Sequence, residues 1–440
     1  MLYRAPELAM QIRRALAITG GMAAAEMRKV IRGEHAAIEA LLRDRKLDQY
    51  CPAGGQCQQL GVRDFYAALV LGDLHDASAV GDLLAALEKP GLPPYVIDDT
   101  PAPMTQHTAI FDALRKIGAA DSAAKLRALY TNSKTALADR SGAAGAYAFV
   151  VHDQAGADEL WKIAADNTAD DMLRVEAATA YARIARDKAR IGVFGAMAKK
   201  YVEASAKKRT AADKQLKAKQ AADNDLAKAK DALDAAKAKL IALTQDQSKT
   251  AVEIRAGTEA TKRVEADYKA AKKKHRTQTS EWTMNDSAAK AYVGYARMFQ
   301  THVARVEVAV RCAEDVDCYA AALSTSATDA VQHVKPFIAD VDTWTDDEKQ
   351  GLVDAAVDRA ALELGKRKAT AKLDVVLDTL ASENRLVREA LLLALPHLAP
   401  TPCPACVTKL DAAIESGRTK TYLAPVQIET QVLRNYIKSR

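Results

Sequence analysis

From Met197 to Arg276 the chain runs for eighty residues with no proline and a single glycine, Gly257, in a background dense in Ala, Lys and Asp. A stretch like this has almost nowhere to turn, and Ala and Lys are among the least costly residues in a helix. Leu226, Leu233 and Leu240 recur every seven residues, and Ala222, Ala229, Ala236 and Leu243 fill the alternating positions. That is the a/d spacing of helices wound on a partner, and Ala in the seam permits close approach. A second series follows, Ile254, Thr261, Tyr268 and His275 with Gly257, Val264 and Ala271, after a register change across Thr244 to Ser248. The break favours an antiparallel hairpin with its tip near 244–250 over one continuous helix of more than eighty residues. Each arm, about 42 residues at 1.5 Å per residue, extends about 60 Å.

The flanks read differently. Arg63 to Leu87 places Phe65, Leu69 and then Leu71 to Leu74 at helical spacing, turns at Asp73-Leu74-His75-Asp76, and resumes over Ala79, Val80, Leu83, Leu84 and Leu87. Similar pairs turn near 119, 153 and 187, intervals of 46, 34 and 34 residues. The long first interval holds Pro90, Pro93, Pro94, Pro101 and Pro103, which cannot continue a helix. After the central segment, Ala288 to Arg311, Gln350 to Leu364, Ala371 to Leu380, Val387 to Leu398, Cys403 to Ile414 and Gln427 to Ile437 follow as further helices. The turn pattern over 63–87 resembles the HEAT (armadillo-type) helical repeat of bacterial proteins, and repeat-like intervals cover about two-thirds of the chain. The resemblance implies an all-α fold: an α-solenoid of HEAT-like helix pairs at 1–196 and 282–440, interrupted by a basic coiled-coil hairpin at 197–281. About a fifth of the residues are Ala, and 20 Gly and 13 Pro in 440 residues are too few for an all-β sandwich or barrel.

Six cysteines form three close pairs, Cys51/Cys57, Cys312/Cys318 and Cys403/Cys406, each where helical periodicity breaks. Disulfides across helix–helix turns fit these spacings and imply an oxidising compartment. Two rivals remain. Cys403-Pro404-Ala405-Cys406 has the form of a redox turn but lacks the βαβ surroundings such centres occupy. Zinc asks for four ligands, and only one CxxC spacing exists. No run of eighteen apolar residues occurs, so no membrane span is expected. The first residues lack a signal-like pattern. That start fits either a cytoplasmic chain or a mature form, and the paired cysteines favour the second: a periplasmic or secreted location is expected, with a cytoplasmic one as the alternative.

Net charge is +6, and its distribution says more than its size. Between Lys199 and Arg276 there are 21 Lys or Arg against 11 Asp or Glu, leaving the remainder slightly acidic. Lys207, Lys208 and Arg209 on one arm, and Lys272, Lys273, Lys274 and Arg276 on the other, are expected to lie together near the base of the hairpin and to meet a partner. A solvated face is the plainer reading of these charges, followed by an acidic protein or an anionic surface. Nucleic acid is disfavoured because few aromatic residues stand near them.

The eight histidines, at 35, 75, 107, 152, 275, 302, 333 and 397, show no metal spacing, and no nucleotide-binding or nucleophile-elbow motif occurs. Gly54-Gly55 lacks the Lys-Ser/Thr of a phosphate loop. Asp98-Asp99, Asp170-Asp171 and Asp346-Asp347 read as helix-terminal carboxylates, with Thr345 to Glu348 as a capping box. No catalytic residue, cofactor or metal is expected. The function expected is a non-enzymatic protein-binding scaffold or assembly component, using a concave solenoid face and the hairpin. The alternative is a HEAT-like nucleic-acid-binding protein. The sequence assigns no oligomeric state and no particular partner.

Overall fold

A computed structural model describes residues 9–44, 57–92, 105–151, 153–338 and 340–440. Among these the chain is helical, with nineteen α-helices, a few short 3₁₀ turns and no strand. The first ten helices are α1 (Ala9–Thr19), α2 (Gly21–Arg32), α3 (Ala36–Asp44), α4 (Cys57–Asp73), α5 (Val80–Ala86), α6 (Gln106–Ile117), α7 (Ala123–Thr131), α8 (Leu137–Val150), α9 (Ala157–Ala165) and α10 (Asp171–Ile184). Two long helices follow, α11 (Lys188–Gln245) and α12 (Ala251–Cys312). The last seven are α13 (Val316–Ala322), α14 (Ala327–Val334), α15 (Asp346–Lys366), α16 (Leu373–Thr379), α17 (Arg385–Leu398), α18 (Pro404–Gly417) and α19 (Ala424–Ser439).

Local chemistry sets these boundaries. Thr345 and Glu348 form a reciprocal capping box at the start of α15, and Asp170 accepts the Met172 amide at the start of α10. Asp98 and Asp99 lie outside the described residues. Gly118 ends α6 at φ +66°, a left-handed position, and a Cβ there would meet the His397 ring at 3.1 Å.

The chain divides into two compact units, residues 1–195 with 298–440, and residues 196–297. In the first unit, helices α4, α6, α8 and α10 pack each on the next. Thr179 of α10 then meets His302 of α12 at 3.2 Å, and Arg305 of α12 meets Asp358 of α15 at 2.7 Å. α15 packs on α17, α17 on α19, and α19 on both α1 and α4, which closes the circuit. Asn435 donates to the Arg14 carbonyl at 2.8 Å and Ser439 to the Ala17 carbonyl at 3.2 Å. The helices of this unit bury an apolar core that includes Leu71, Ile110, Leu114, Leu364, Leu391 and Leu395, all fully buried. α2, α5, α7, α9, α13, α14, α16 and α18 pack beside them, for instance α7 on α8 and α18 on α19.

The second unit consists of the remaining lengths of α11 and α12, joined by the turn at 246–250 and packed on each other. The pairing is antiparallel. Ser205 donates to the Ala289 carbonyl at 2.9 Å, Asn285 donates to Gln215 at 2.8 Å, Lys274 meets Asp225 at 2.9 Å, and Thr261 donates to the Ala236 carbonyl at 3.4 Å. A step forward on one helix is matched by a step back on the other throughout. The inward positions of α11 run Tyr201, Ser205, Lys208, Ala212, Gln215, Lys219, Ala222, Leu226, Ala229, Leu233, Ala236, Leu240 and Leu243 without a skip. Those of α12 run from Ile254 through Thr261, Tyr268, His275 and Trp282 to Ala289 and Ala296, so the unit extends to Arg297. Gly257 faces Leu243, whose nearest carbon would stand 3.0 Å from a Cβ at that site. Each helix contributes about 50 residues, a length of about 75 Å.

Candidate functional site

The cations singled out in the sequence all lie on the second unit but do not form one cluster. Lys208 contacts Asn285 at 3.3 Å and Arg209 pairs with Asp286 at 2.7 Å. Lys274 pairs with Asp225, and its neighbour His275 with Asp223 at 2.9 Å. The 272–276 group is thus level with 223–225 on the facing helix, about 25 Å along the axis from 207–209. The expectation that both groups share the base of the hairpin is corrected: folding about residue 248 sets 208 against 285–289. Lys207, Lys272, Lys273 and Arg276 are exposed. Elsewhere cations alternate with acids, as in the pairs Lys219–Asp223, Lys269–Glu265 and Lys290–Asp286. The aromatic residues Tyr201, Tyr268, Trp282 and Tyr292 are turned inward. Beside the tip turn, Ile241 is 55% exposed and Val252 77%.

Two of the three cysteine pairs are disulfides. Cys312 joins Cys318 across the α12–α13 turn with an S–S distance of 2.01 Å, and Cys403 joins Cys406 at the start of α18 at 1.99 Å. The pair Cys51/Cys57 lies outside the described residues, apart from the backbone of Cys57 at the start of α4.

The interior of the ring holds buried charge that its spacing in the sequence does not announce. Arg13 of α1 donates two hydrogen bonds to Asp73 of α4, both at 2.7 Å, and a third to Glu429 of α19 at 2.9 Å. Lys116 of α6 reaches Asp73, Asp112 and Glu429, each at 3.1 Å. Burial opposes ionisation of Asp73, but Lys116 and Arg13 outweigh it and hold its carboxyl below the usual range. The same balance, with Asp73, Asp112 and Glu429 as the favourable partners, raises Lys116 above the usual lysine range. His75, at φ +47°, donates Nδ1–H to the Lys116 carbonyl at 2.8 Å and faces His397 and Tyr436. Burial, with His397 adding, pushes it down to about 3, so it is neutral at pH 7.

A second buried group centres on Asp358 of α15, which accepts from Arg183 at 3.1 and 3.3 Å and from Arg305 at 2.7 Å. Burial raises Asp358 while the two arginines lower it, and the arginines prevail. His302, against Thr179 and Arg305, is held well below its ordinary value by burial and by the cations Arg305 and Arg183. His107 bridges Asp139 and the Lys89 carbonyl, both at 3.0 Å. His152 lies outside the described residues. Cavities of about 200, 260 and 540 Å³ sit between the inner helices, and Arg115 lines all three.

No family model, curated protein or solved structure matches the chain. No group of three or more His, Cys, Asp or Glu side chains able to hold a metal occurs among the described residues, and no helix there is long and apolar enough to cross a membrane. The residues that sequence reasoning missed are Arg13, Asp73, Lys116 and Glu429. Other buried cations do carry a signal, a charge inside an apolar run. Arg359 and Arg388 announce themselves in that way in the Val357 to Leu364 and Leu386 to Leu395 stretches, and both are fully buried.

Proposed function

We propose that the protein is a non-enzymatic scaffold, a HEAT-like solenoid closed into a ring that presents an antiparallel coiled-coil hairpin to an acidic protein partner. The observation that carries this reading is the hairpin itself: its inward faces are spent on each other, leaving a long cationic rod with two exposed apolar side chains at its tip. Residues 196–297 carry 23 Lys or Arg against 13 Asp or Glu. An open concave solenoid face is a poor candidate for the partner site. The ring interior offers cavities of 200–540 Å³, whereas a helix is about 10–12 Å across with its side chains. The turn disulfides Cys312–Cys318 and Cys403–Cys406 support a periplasmic or secreted location.

Nucleic acid is the weaker reading, since the aromatic residues that would stack on bases face inward and many cations already hold carboxylates. The test is affinity capture from an envelope fraction with three baits: full-length protein, protein lacking 206–288, and the charge-reversed Lys272→Glu/Lys273→Glu/Arg276→Glu variant. The reading expects a protein held by the first bait, released by salt and lost from the other two. Equal capture by the arm-less bait would refute it. Salt-sensitive micromolar binding of duplex DNA by the full-length chain would favour the alternative.

A further inference from the structure

We propose that the cleft between α6, α15 and α17 is a binding site for a small organic anion, an oxyanion headgroup on a short apolar body, with Lys366 as its counter-charge. This site lies in the ring and is independent of the hairpin reading. The cavity holds about 260 Å³, room for a ligand of about eight to twelve heavy atoms. Its walls are apolar where Phe149, Leu362, Leu393 and Ala394 line it, and cationic where Arg115, Lys366 and Lys368 do.

The charges there do not balance. Asp358 is the acidic residue in the lining, and both its oxygens are committed to Arg183 and Arg305. Arg115 pairs with Asp112 at 2.7 Å and stands 5.5 Å from the Phe149 ring. Lys366 and Lys368 form no ion pair and no side-chain hydrogen bond among the described residues. Burial disfavours the Lys366 ammonium, and Arg359, Arg183 and Arg186 add to that; Asp153 pulls the other way without reversing it, so the group stays well below the usual lysine range. Lys366 is half-buried, and no carboxylate in the lining is free to meet its ammonium. An incoming carboxylate or phosphate supplies the missing negative charge, and the apolar wall takes the rest of the molecule.

Isothermal titration of the full-length protein with hexanoate, hexyl phosphate, hexanol and inorganic phosphate tests this. Hexanoate or hexyl phosphate is expected to saturate below about 1 mM. Whichever binds tighter identifies a planar or a tetrahedral headgroup. Hexanol and inorganic phosphate should each bind at least tenfold more weakly. Lys366→Met should weaken the anion at least tenfold while leaving the melting temperature unchanged or higher, and Lys366→Arg should restore part of the affinity. In the wild-type protein, the bound anion should slow amine labelling of Lys366 in peptide maps, a readout that no variant needs to fold for. Equal binding of hexanol, undiminished binding by the methionine variant, unprotected labelling at saturation, or no binding by any probe at 10 mM overturns the proposal.

Discussion

Replacing Asp73 by Asn tests whether buried charge holds the two ends of the ring unit together. Asp73 is 4% exposed and takes three hydrogen bonds from two cations, Arg13 on α1 and Lys116 on α6. The amide keeps the shape but removes the charge and presents N–H groups to donors. Breaking one side of a buried ion pair costs about 3–5 kcal/mol, because the partner is left uncompensated. Here Glu429 still meets both cations and Asp112 still meets Lys116, so the loss belongs at the lower end, about 3 kcal/mol. Glu429→Gln is the internal control. That carboxylate is 35% exposed, and its loss should cost about 1 kcal/mol. Urea unfolding followed by circular dichroism measures both, and native-state hydrogen exchange locates the effect. Amides of α1 and α19 should lose protection in Asp73→Asn before those of α8 and α10. A loss under 1 kcal/mol, or one equal to that of Glu429→Gln, would refute the argument that burial sets the weight of this cluster.

Excising 206–288 and joining Ser205 to Ala289 through a short turn follows the observed pairing and should leave the ring's melting transition in place; aggregation on excision would contradict the independence of the two units. Acid should weaken the ring: unfolded His75 titrates near 6.5 while the folded residue resists protonation down to about 3, so stability present above pH 6.5 is lost as pH falls, about 2 kcal/mol from this residue at pH 5. His302 acts in the same direction, and His75→Asn, which tolerates the positive φ, should flatten the dependence of melting temperature on pH between 7.5 and 5. Non-reducing peptide mapping should recover 312–318 and 403–406 linkages, and reduction should cost about 2 kcal/mol for each small loop.

The helical character, the turns near 73, 119, 153 and 187, and the tip near 244–250 were all legible, because each is written in local chemistry: an apolar period that stops, with Gly or Asp at the turn. The tip-proximal seam was legible for the same reason, since Leu226, Leu233 and Leu240 are apolar at heptad spacing. The other half was not. Lys208, Gln215, Lys219, Gln278 and Asn285 occupy inward positions that a hydrophobic pattern passes over, and hydrogen bonds such as Asn285 to Gln215 do the joining. Pairing about the tip would have separated Lys207–Arg209 from Lys272–Arg276, because a hairpin fixes partners by distance from its turn. Closure of the ring left no local trace. Arg13 and Glu429 lie 416 positions apart, each on a helix whose charged residues read as solvent-facing.

Closure also orders the events of folding. A linear array can grow by adding one helix pair to the last, but here α1 finds its main neighbour, α19, only when the final helix exists. A chain emerging stepwise through a membrane or from a ribosome would carry the inward face of α1, with Arg13 and Ala17 on it, uncovered until α19 had followed. Contacts of such long sequence separation are entropically late. The Cys312–Cys318 and Cys403–Cys406 bonds span six and three residues, so oxidation can precede that last docking step and does not depend on it.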